Sequence, residues 1–194
     1  MLAAPGACSP HRARARLGRV RQACLVDVPF PEPSAPAPSR AEVLLWYLDY
    51  FRSRLVSKLA SLPAGELDRT RLPSGWTPAE LLNHLVYTER RWVEWRFEGR
   101  DLDDPWGDSS DGGWHVPPGQ SLDGLVAALA AQAAHTRAVV GSHDLADLGQ
   151  PSDRWKGDGP AALERVLLHL FQEYSRHLGH LDIVSELAGG QTGE

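Results

Sequence analysis

Histidine and glutamate side chains recur at helical spacing near the carboxyl end of the chain. His169, Glu173 and His177 are each four residues apart, and His180 follows three residues later. Because an α-helix turns once in about 3.6 residues, all four side chains lie on one face of a helix. Imidazole and carboxylate groups are common ligands of divalent metals. This face is therefore a candidate metal-binding surface.

Another histidine stands in the most apolar part of an earlier predicted helix. His84 lies between Leu82 and Leu85, so its ring is expected to point inward. With Glu173 and His177 it would provide three protein ligands and leave a fourth position open, as in catalytic zinc sites. Nickel, iron(II) or manganese would accept the same ligands. The sequence thus predicts one divalent metal held by these three residues, and the types of ligand alone do not choose among these ions.

A simpler interpretation of the same residues stays open on the sequence alone. In it, His84 is a core histidine that is hydrogen-bonded to a backbone carbonyl. Glu173 and His177 then form a solvated pair one helical turn apart. The chain lacks the His-Glu-x-x-His motif of zinc proteases, so no short motif decides between the two interpretations.

Four amphipathic helices are predicted to position these residues. Ser39 and Glu42 have the spacing of a capping box, as do Thr77 and Glu80, and each pair marks a helix start. The predicted helices run from Ser39 to a break at Leu62, from Thr77 to about Phe97, from Ser121 to Val140 with Gly141 and Ser142 ending it, and from Pro160 to about Leu187. No strand is predicted. The expected fold class is therefore all-α, a four-helix bundle, which is an architecture that builds metal sites between its helices.

The long connection between the second and third helices is predicted to border the site. Residues 101–120 are rich in Gly, Asp and Pro and contain Trp114, and loops of this length are uncommon in compact domains unless they serve a site. Trp114 is therefore a candidate substrate-binding residue, although it would also suit the role of closing the core. Arg91 is a second candidate for binding substrate, and Tyr174 on the last helix is a candidate catalytic or positioning residue.

Composition and charge argue against several classes of partner. The formal charge is -5, and only two cysteines, Cys8 and Cys24, are present. This balance gives no electrostatic reason to bind nucleic acid, and no apolar run approaches the length that spans a bilayer. The low cysteine content fits a reducing compartment. We therefore expect a cytoplasmic protein with no nucleic-acid or membrane partner.

The beginning of the chain differs from the rest. Residues 1–24 contain five arginines and no acidic residue, and a proline-rich run then continues to Pro38. Such a composition cannot bury a core, and prolines keep the backbone extended. Residues 1–38 are therefore predicted to be a disordered basic and proline-rich extension, and residues 39–194 the four-helix domain. The arginines would also suit a transit peptide or a nucleic-acid-binding arm.

Two motifs in the predicted domain resemble the DinB superfamily. They are the runs Trp76-Thr77-Pro78-Ala79-Glu80-Leu81-Leu82-Asn83-His84-Leu85 and Glu173-Tyr174-Ser175-Arg176-His177-Leu178-Gly179-His180. More narrowly, they are similar to the actinobacterial branch that contains mycothiol-dependent maleylpyruvate isomerase and mycothiol S-transferases, over about residues 39–194. The resemblance implies a four-helix bundle with a divalent metal, commonly zinc or nickel. It assigns His84 and His177 as ligands by position, and Glu173 stands where many members have histidine, a departure that the isomerase-like branch shares.

The resemblance also implies a chemistry. In thiol-dependent members a low-molecular-weight thiol such as mycothiol occupies the open metal position and attacks an electrophilic substrate, so a metal- and thiol-dependent transferase or isomerase is the first expectation. A metal-dependent hydrolase, with His180 as general base, and a non-catalytic metal-binding stress-response protein are the alternatives. His180 stands where the superfamily often has glutamine, and it is expected to face substrate or to support a ligand. A homodimer is the expected assembly if the chain associates.

Overall fold

The described chain folds into four α-helices, which confirms the all-α prediction. They are α1 (Arg40–Ser61), α2 (Pro78–Arg90), α3 (Leu122–Ser142) and α4 (Leu163–Leu187). The computed structural model describes residues 28–190 and residue 192. The predicted disorder of residues 1–27 lies outside this part of the chain.

The start of α2 is fixed by the capping box that the sequence predicted. The Thr77 hydroxyl accepts the backbone N–H of Glu80 at 3.3 Å, and the Glu80 carboxylate accepts the backbone N–H of Thr77 at 2.8 Å. The helix continues into a π-helix, Arg91–Phe97, which we call the π-helical segment. The predicted end near Phe97 is thus confirmed, but the widened last turns were not predicted. Such π-helical turns are rare and occur frequently at functional sites.

Two helix boundaries differ from the sequence prediction. Helix α3 extends through Gly141 and Ser142 instead of stopping before them. Helix α4 begins at Leu163 rather than Pro160, because Ala162 first pairs with the backbone of Leu148 as an isolated β-bridge. Helical periodicity carries no information about such a local pairing, so the sequence could not place this start.

The long loop contains a small hairpin, although no strand was predicted. Strands β1 (Ser109–Ser110) and β2 (Gly113–Trp114) pair antiparallel. The turn between them uses positive φ angles at Asp111 (51°) and Gly112 (81°), and Asp-Gly is a preferred pair for such two-residue turns. Strands this short carry no alternation of apolar and polar residues, so only the turn signal was available.

Packing arranges the helices in pairs around one apolar core. Helix α1 contacts α4 most extensively, and α2 contacts α3. The proline-rich segment before α1 also lies against the bundle: the backbone N–H of Val28 donates to the Ser53 hydroxyl, and the Phe30 ring packs edge-on against Tyr50.

Within residues 28–190, no helix is both long and apolar enough to cross a membrane.

A buried polar cluster joins all four helices at the centre of the bundle. The Glu89 carboxylate of α2 accepts hydrogen bonds from Arg52 of α1, Thr136 of α3 and Tyr174 of α4. The shortest Arg52 contact is 2.6 Å, and the Tyr174 hydroxyl lies 2.7 Å from the carboxylate. All four residues have 0% exposure. A buried carboxylate is tolerated here because each of its oxygens has donors.

We predict that Glu89→Ala lowers the free energy of unfolding by about 3–5 kcal/mol, because it leaves the buried Arg52 guanidinium without its main partner. Tyr174→Phe should cost less, about 1–3 kcal/mol, because only one donor to the carboxylate is lost. Urea denaturation followed by circular dichroism measures both. If Glu89→Ala lowers the free energy of unfolding by less than about 1 kcal/mol, water must reach Arg52, and the cluster is not fully buried in solution.

Candidate metal centre

Three side chains that the sequence selected as metal ligands come together between α2 and α4. Ligand atoms of His84, Glu173 and His177 all lie within 4.8 Å of one another. His84 comes from α2, and the other two lie one turn apart on α4, so the helical period and the antiparallel packing of the two helices bring them together. This group could hold a metal ion, and its occupation stays a prediction.

The two ligands on α4 have protonation states that suit metal binding. The Oε2 atom of Glu173 lies 3.3 Å from the Nε2 atom of His177. Hydrogen bonds from His177 and Arg176 lower the pKa of Glu173 to about 2, although burial opposes them. Burial above all lowers the pKa of His177, so its ring is neutral at pH 7. A neutral imidazole and an ionised carboxylate are the forms that coordinate a metal.

A guanidinium already occupies the space between these two ligands. The Arg176 NH2 group lies 2.8 Å from Oε2 of Glu173 and 3.1 Å from Nε2 of His177. The Nδ1 atom of His177 is buried and has no hydrogen-bond partner among the described residues. Nε2 of His177, which faces both the Glu173 carboxylate and this guanidinium, is therefore the ring nitrogen that is placed to bind a metal. Arg176 thus stands in for a positive ion, and the donor set fits one.

Asp108 orients the third ligand from outside the group. Its Oδ2 atom lies 2.9 Å from Nδ1 of His84, and the Arg91 guanidinium donates to both of its carboxylate oxygens. Burial opposes ionisation, but these hydrogen bonds from His84 and Arg91 hold the pKa of Asp108 below its usual range. The ionised carboxylate favours the proton on Nδ1, so the lone pair of His84 lies on Nε2, where the Thr88 hydroxyl is 3.3 Å away. Metal-binding histidines commonly have such a carboxylate partner.

The hairpin places Asp108 and holds the loop against α2. Asp108 is the residue before β1, and its backbone carbonyl accepts the N–H of His115 at 2.7 Å. The carbonyl of His115 in turn accepts the amide of Asn83 at 2.7 Å, and Asn83 precedes His84 on α2. Hydrogen bonds therefore hold the loop against α2 at Asn83 and at His84.

Trp114 covers the candidate metal centre. Its ring stacks on His84 with centroids 4.2 Å apart and planes 15° apart, and it meets the His177 ring edge-on at 5.2 Å. Trp76 lies 5.9 Å from Trp114 and 6.4 Å from His180. Both tryptophans line an open cleft of about 370 Å³ whose other walls are mainly polar. Trp114 therefore contacts both this cleft and the ligand group.

The remaining residues selected from the sequence occupy different places. His180 lies next to the ligand group, with its ring 5.4 Å from that of His177. Tyr174 points to the opposite side of α4, into the buried cluster, where burial and the Glu89 carboxylate raise its pKa. Arg91 donates to Asp108, Thr88 and the carbonyl of Pro105. A direct role of Arg91 in binding substrate stays a prediction.

Sequence reasoning missed Asp108 and Arg176. Asp108 belongs to a loop that contains several other aspartates, and no periodicity relates it to His84. Arg176 was quoted as part of a motif but was given no role. The available signal was its place next to His177 and three residues after Glu173, since such spacing puts a basic group within reach of a carboxylate on a helix.

The fold and the site together define a class of protein: a four-helix protein whose helices bring two histidines and a glutamate together as a candidate metal centre. The family model described as Mycothiol-S-transferase matches residues 43–190. The match covers well over half of the chain, so the chain belongs to the mycothiol-S-transferase family, and the resemblance carried by the two motifs is confirmed. No curated protein and no solved structure matches the chain significantly.

We predict that His84→Ala and His177→Ala each abolish stoichiometric binding of zinc, because two remaining ligands compete poorly with water. Asp108→Asn should weaken zinc binding about 10–100-fold, the usual effect of losing a carboxylate that orients a histidine ligand. Competition titration with a chromogenic chelator measures the affinity. Asp103→Asn, in the exposed part of the same loop, is the matched control, and an equal loss in both aspartate variants would contradict the role of Asp108.

We predict that Arg176→Ala strengthens zinc binding about two- to fivefold, because it removes the cation that competes for Glu173 and His177; the factor is small because a half-exposed ion pair contributes up to about 1 kcal/mol. The same competition titration measures it. Arg165→Ala, at an exposed position of the same helix, is the control for a general change of charge. Weaker zinc binding by the Arg176 variant would instead mean that the arginine supports the bound state.

Proposed function

We propose that the protein joins a low-molecular-weight thiol of the mycothiol type, through its sulfur atom, to an electrophile, with the help of a divalent metal held by His84, Glu173 and His177. The observation that supports this proposal is the occurrence of that ligand group in a member of the mycothiol-S-transferase family. Zinc is the expected metal, and nickel, iron(II) or manganese would suit the same donors. Transfer to an electrophile and isomerisation through a thiol adduct both begin with the same nucleophile.

The contacts around the ligands support a metal-assisted reaction. His84 has its Nδ1 hydrogen committed to Asp108, His177 is neutral, and Glu173 is ionised and in contact with a positive group. A bound divalent ion would supply a Lewis-acidic position that lowers the pKa of a coordinating thiol. Free thiols have a pKa of about 8.5 and are mostly protonated at pH 7, so this change supplies the nucleophile.

The chain's own side chains have separate tasks in this proposal. The cleft beside Trp76 and Trp114 receives the polar body of the thiol, because its walls are mainly polar and the two indole rings offer flat apolar surfaces. Trp114 also shields His84 from water. His180 is half-buried beside Trp76 and accepts the proton that the thiol loses. Tyr174 has no part in this chemistry, because its hydroxyl holds Glu89 inside the core.

The other predictions from the sequence concern the setting of the reaction. A cytoplasmic location, a homodimeric assembly and the absence of a nucleic-acid partner stay predictions. Hydrolysis by the same ligand group, with His180 as the base, is the competing chemistry. The two reactions differ in their need for a thiol, so one assay with and without thiol separates them.

We predict that zinc-loaded protein accelerates the reaction of mycothiol with chlorodinitrobenzene. In this reaction a sulfur–carbon bond forms, the carbon–chlorine bond breaks, chloride leaves with the electron pair, and the thiol proton passes to a base. Removal of zinc with a chelator should reduce the rate to the uncatalysed one, and His177→Ala should do the same because one ligand is lost. The absorbance of the dinitrophenyl thioether measures the rate.

Two comparisons make this assay decisive. His143→Ala removes a histidine that is exposed and lies outside the ligand group, so this variant should retain the wild-type rate. A panel of activated esters without thiol tests the competing chemistry. Zinc-dependent ester hydrolysis with no thiol transfer would replace the transferase with a hydrolase, and a thiol-transfer rate that survives chelation would remove the metal from the proposal.

A further inference from the structure

Arg96 in the π-helical segment lacks the carboxylate partner that its neighbours have. Its Nε atom is buried and has no hydrogen-bond partner in the part of the chain that the structure describes. Its guanidinium carbon lies 4.1 Å from the centre of the Trp92 ring. Burial first, and then the charge of Arg91, lower its pKa, and no carboxylate among the described residues offsets them. Keeping the Arg96 guanidinium charged in this position therefore costs free energy, and no carboxylate of the described residues compensates for it.

The arginines around Arg96 are all paired with carboxylates. Arg91 pairs with Asp108, Arg100 with Glu94, and Arg154 with Asp101. The chain has more acidic than basic residues, with a formal charge of -5. The lack of a carboxylate beside Arg96 is therefore a property of its position and not of the composition.

The position of Arg96 is one end of the groove that contains the candidate metal centre. We define the α2–α4 groove by His84, Trp92 and Arg96 on one side and His169, Glu173 and His177 on the other. The rings of Trp92 and His169 have centroids 4.2 Å apart. The Nε2 atom of His169 lies 3.8 Å from Oε1 of Glu173. Arg96, Trp92 and His169 thus lead along the groove to a candidate ligand.

The two ends of the groove differ in chemistry. Trp76, Trp114 and His180 lie at one end, beside the polar cleft. The other end contains Arg96, which has no carboxylate partner among the described residues, and Arg176, which pairs with Glu173. These three groups together carry one net positive charge, and a divalent ion at the ligand group would raise it to three. Such a local potential attracts anions to a protein that is negative overall.

A carboxylate is the anion that fits this end best. A guanidinium offers two parallel N–H donors, and a carboxylate accepts them with two oxygens in the same plane. The Trp92 ring beside Arg96 provides an apolar surface for the carbon skeleton attached to the carboxylate. A phosphate group would usually require further cationic or backbone donors at the same spot.

We propose that Arg96 binds the carboxylate of an anionic electrophile and so selects the substrate at the Trp92–His169 end of the α2–α4 groove. This proposal rests on the proposed thiol transfer, because it assigns the thiol to the cleft at the other end and the electrophile to the cationic end. The reacting carbon then lies between the two, beside the ligand group. Arg96 acts here as a binding residue that determines specificity.

The test uses chlorodinitrobenzoate and its uncharged methyl ester, whose different intrinsic reactivities cancel when the ratio of their rates is compared between variants. With zinc-loaded protein and mycothiol, the ratio of kcat/KM for the carboxylate to kcat/KM for the ester should fall about 10–100-fold in Arg96→Gln, the range expected for loss of a charge-assisted hydrogen bond. The fall should appear mainly in KM. Arg96→Lys keeps the charge and should restore part of the ratio. Chloride displacement by the thiol is the same balanced reaction for both electrophiles.

Arg54→Gln is the matched control, because Arg54 also has a buried Nε without a partner among the described residues and also lies beside an aromatic ring, that of Tyr50. It comes from α1, which contributes no residue to the ligand group, so its ratio should stay at the wild-type value. An equal ratio in wild type and Arg96→Gln would overturn the proposal, as would an equal fall in both glutamine variants.

A binding measurement separates this proposal from the proposed function. Isothermal titration of chlorodinitrobenzoate into zinc-loaded protein without thiol should give a dissociation constant that rises about tenfold or more in Arg96→Gln and not in Arg54→Gln. If neither electrophile is turned over with any thiol but this difference is found, the thiol transfer fails and the carboxylate site stands. If the dissociation constant is the same in wild type and Arg96→Gln, the carboxylate site fails whatever the turnover.

Discussion

The hydrogen bonds to the buried Glu89 carboxylate are the interaction on which the rest of the molecule depends. One residue from each helix takes part, and none of the four is exposed. Apolar packing alone allows helices to slide or rotate by small amounts, because many arrangements bury similar areas. A buried carboxylate with three donor residues prevents such sliding, because any shift of a helix would leave a charged group without its hydrogen bonds. The cluster therefore fixes the relative positions of all four helices.

This constraint reaches the candidate metal centre through neighbours in the sequence. Tyr174 follows Glu173 on α4, and Thr88 precedes Glu89 on α2. Because successive residues of a helix point in directions about 100° apart, holding Tyr174 in the core turns Glu173 toward the groove. Thr88 in turn lies 3.3 Å from Nε2 of His84. The polar cluster and the ligand group thus lie on two different sides of the same pair of helices, α2 and α4. The polar cluster is closed by internal hydrogen bonds, and the ligand group is the side proposed to receive a small molecule.

The sequence predicted those parts of the site that follow from helical geometry. The spacing of Glu173 and His177 places them on one face whatever the rest of the chain does, and His84 in an apolar stretch had to face inward. The capping box of Thr77 and Glu80 likewise marked a helix start that depends on neighbouring residues only. These features are local, so they can be recognised from local sequence.

Other features depend on contacts between distant segments and could not be predicted in this way. Asp108 reaches His84 only because a two-residue hairpin turns the loop back, and nothing in its own neighbourhood indicates that partner. The face on which Tyr174 lies was predictable from its position, but its hydrogen bond to Glu89 was not, and an inward tyrosine near candidate ligands was interpreted as catalytic. Arg96 differs from the arginines around it by its lack of a carboxylate partner, which is visible only when the nearby side chains are placed.

The π-helical segment has a consequence for how such proteins diversify. A π-helical turn corresponds to one residue inserted into an α-helix, and here it lies after His84 and contains Trp92 and Arg96. Loss of one codon from this segment would rotate the groove-facing side chains that follow while leaving the preceding ligand in register. The candidate metal ligand and the proposed carboxylate-binding residue can therefore change their orientation independently of each other.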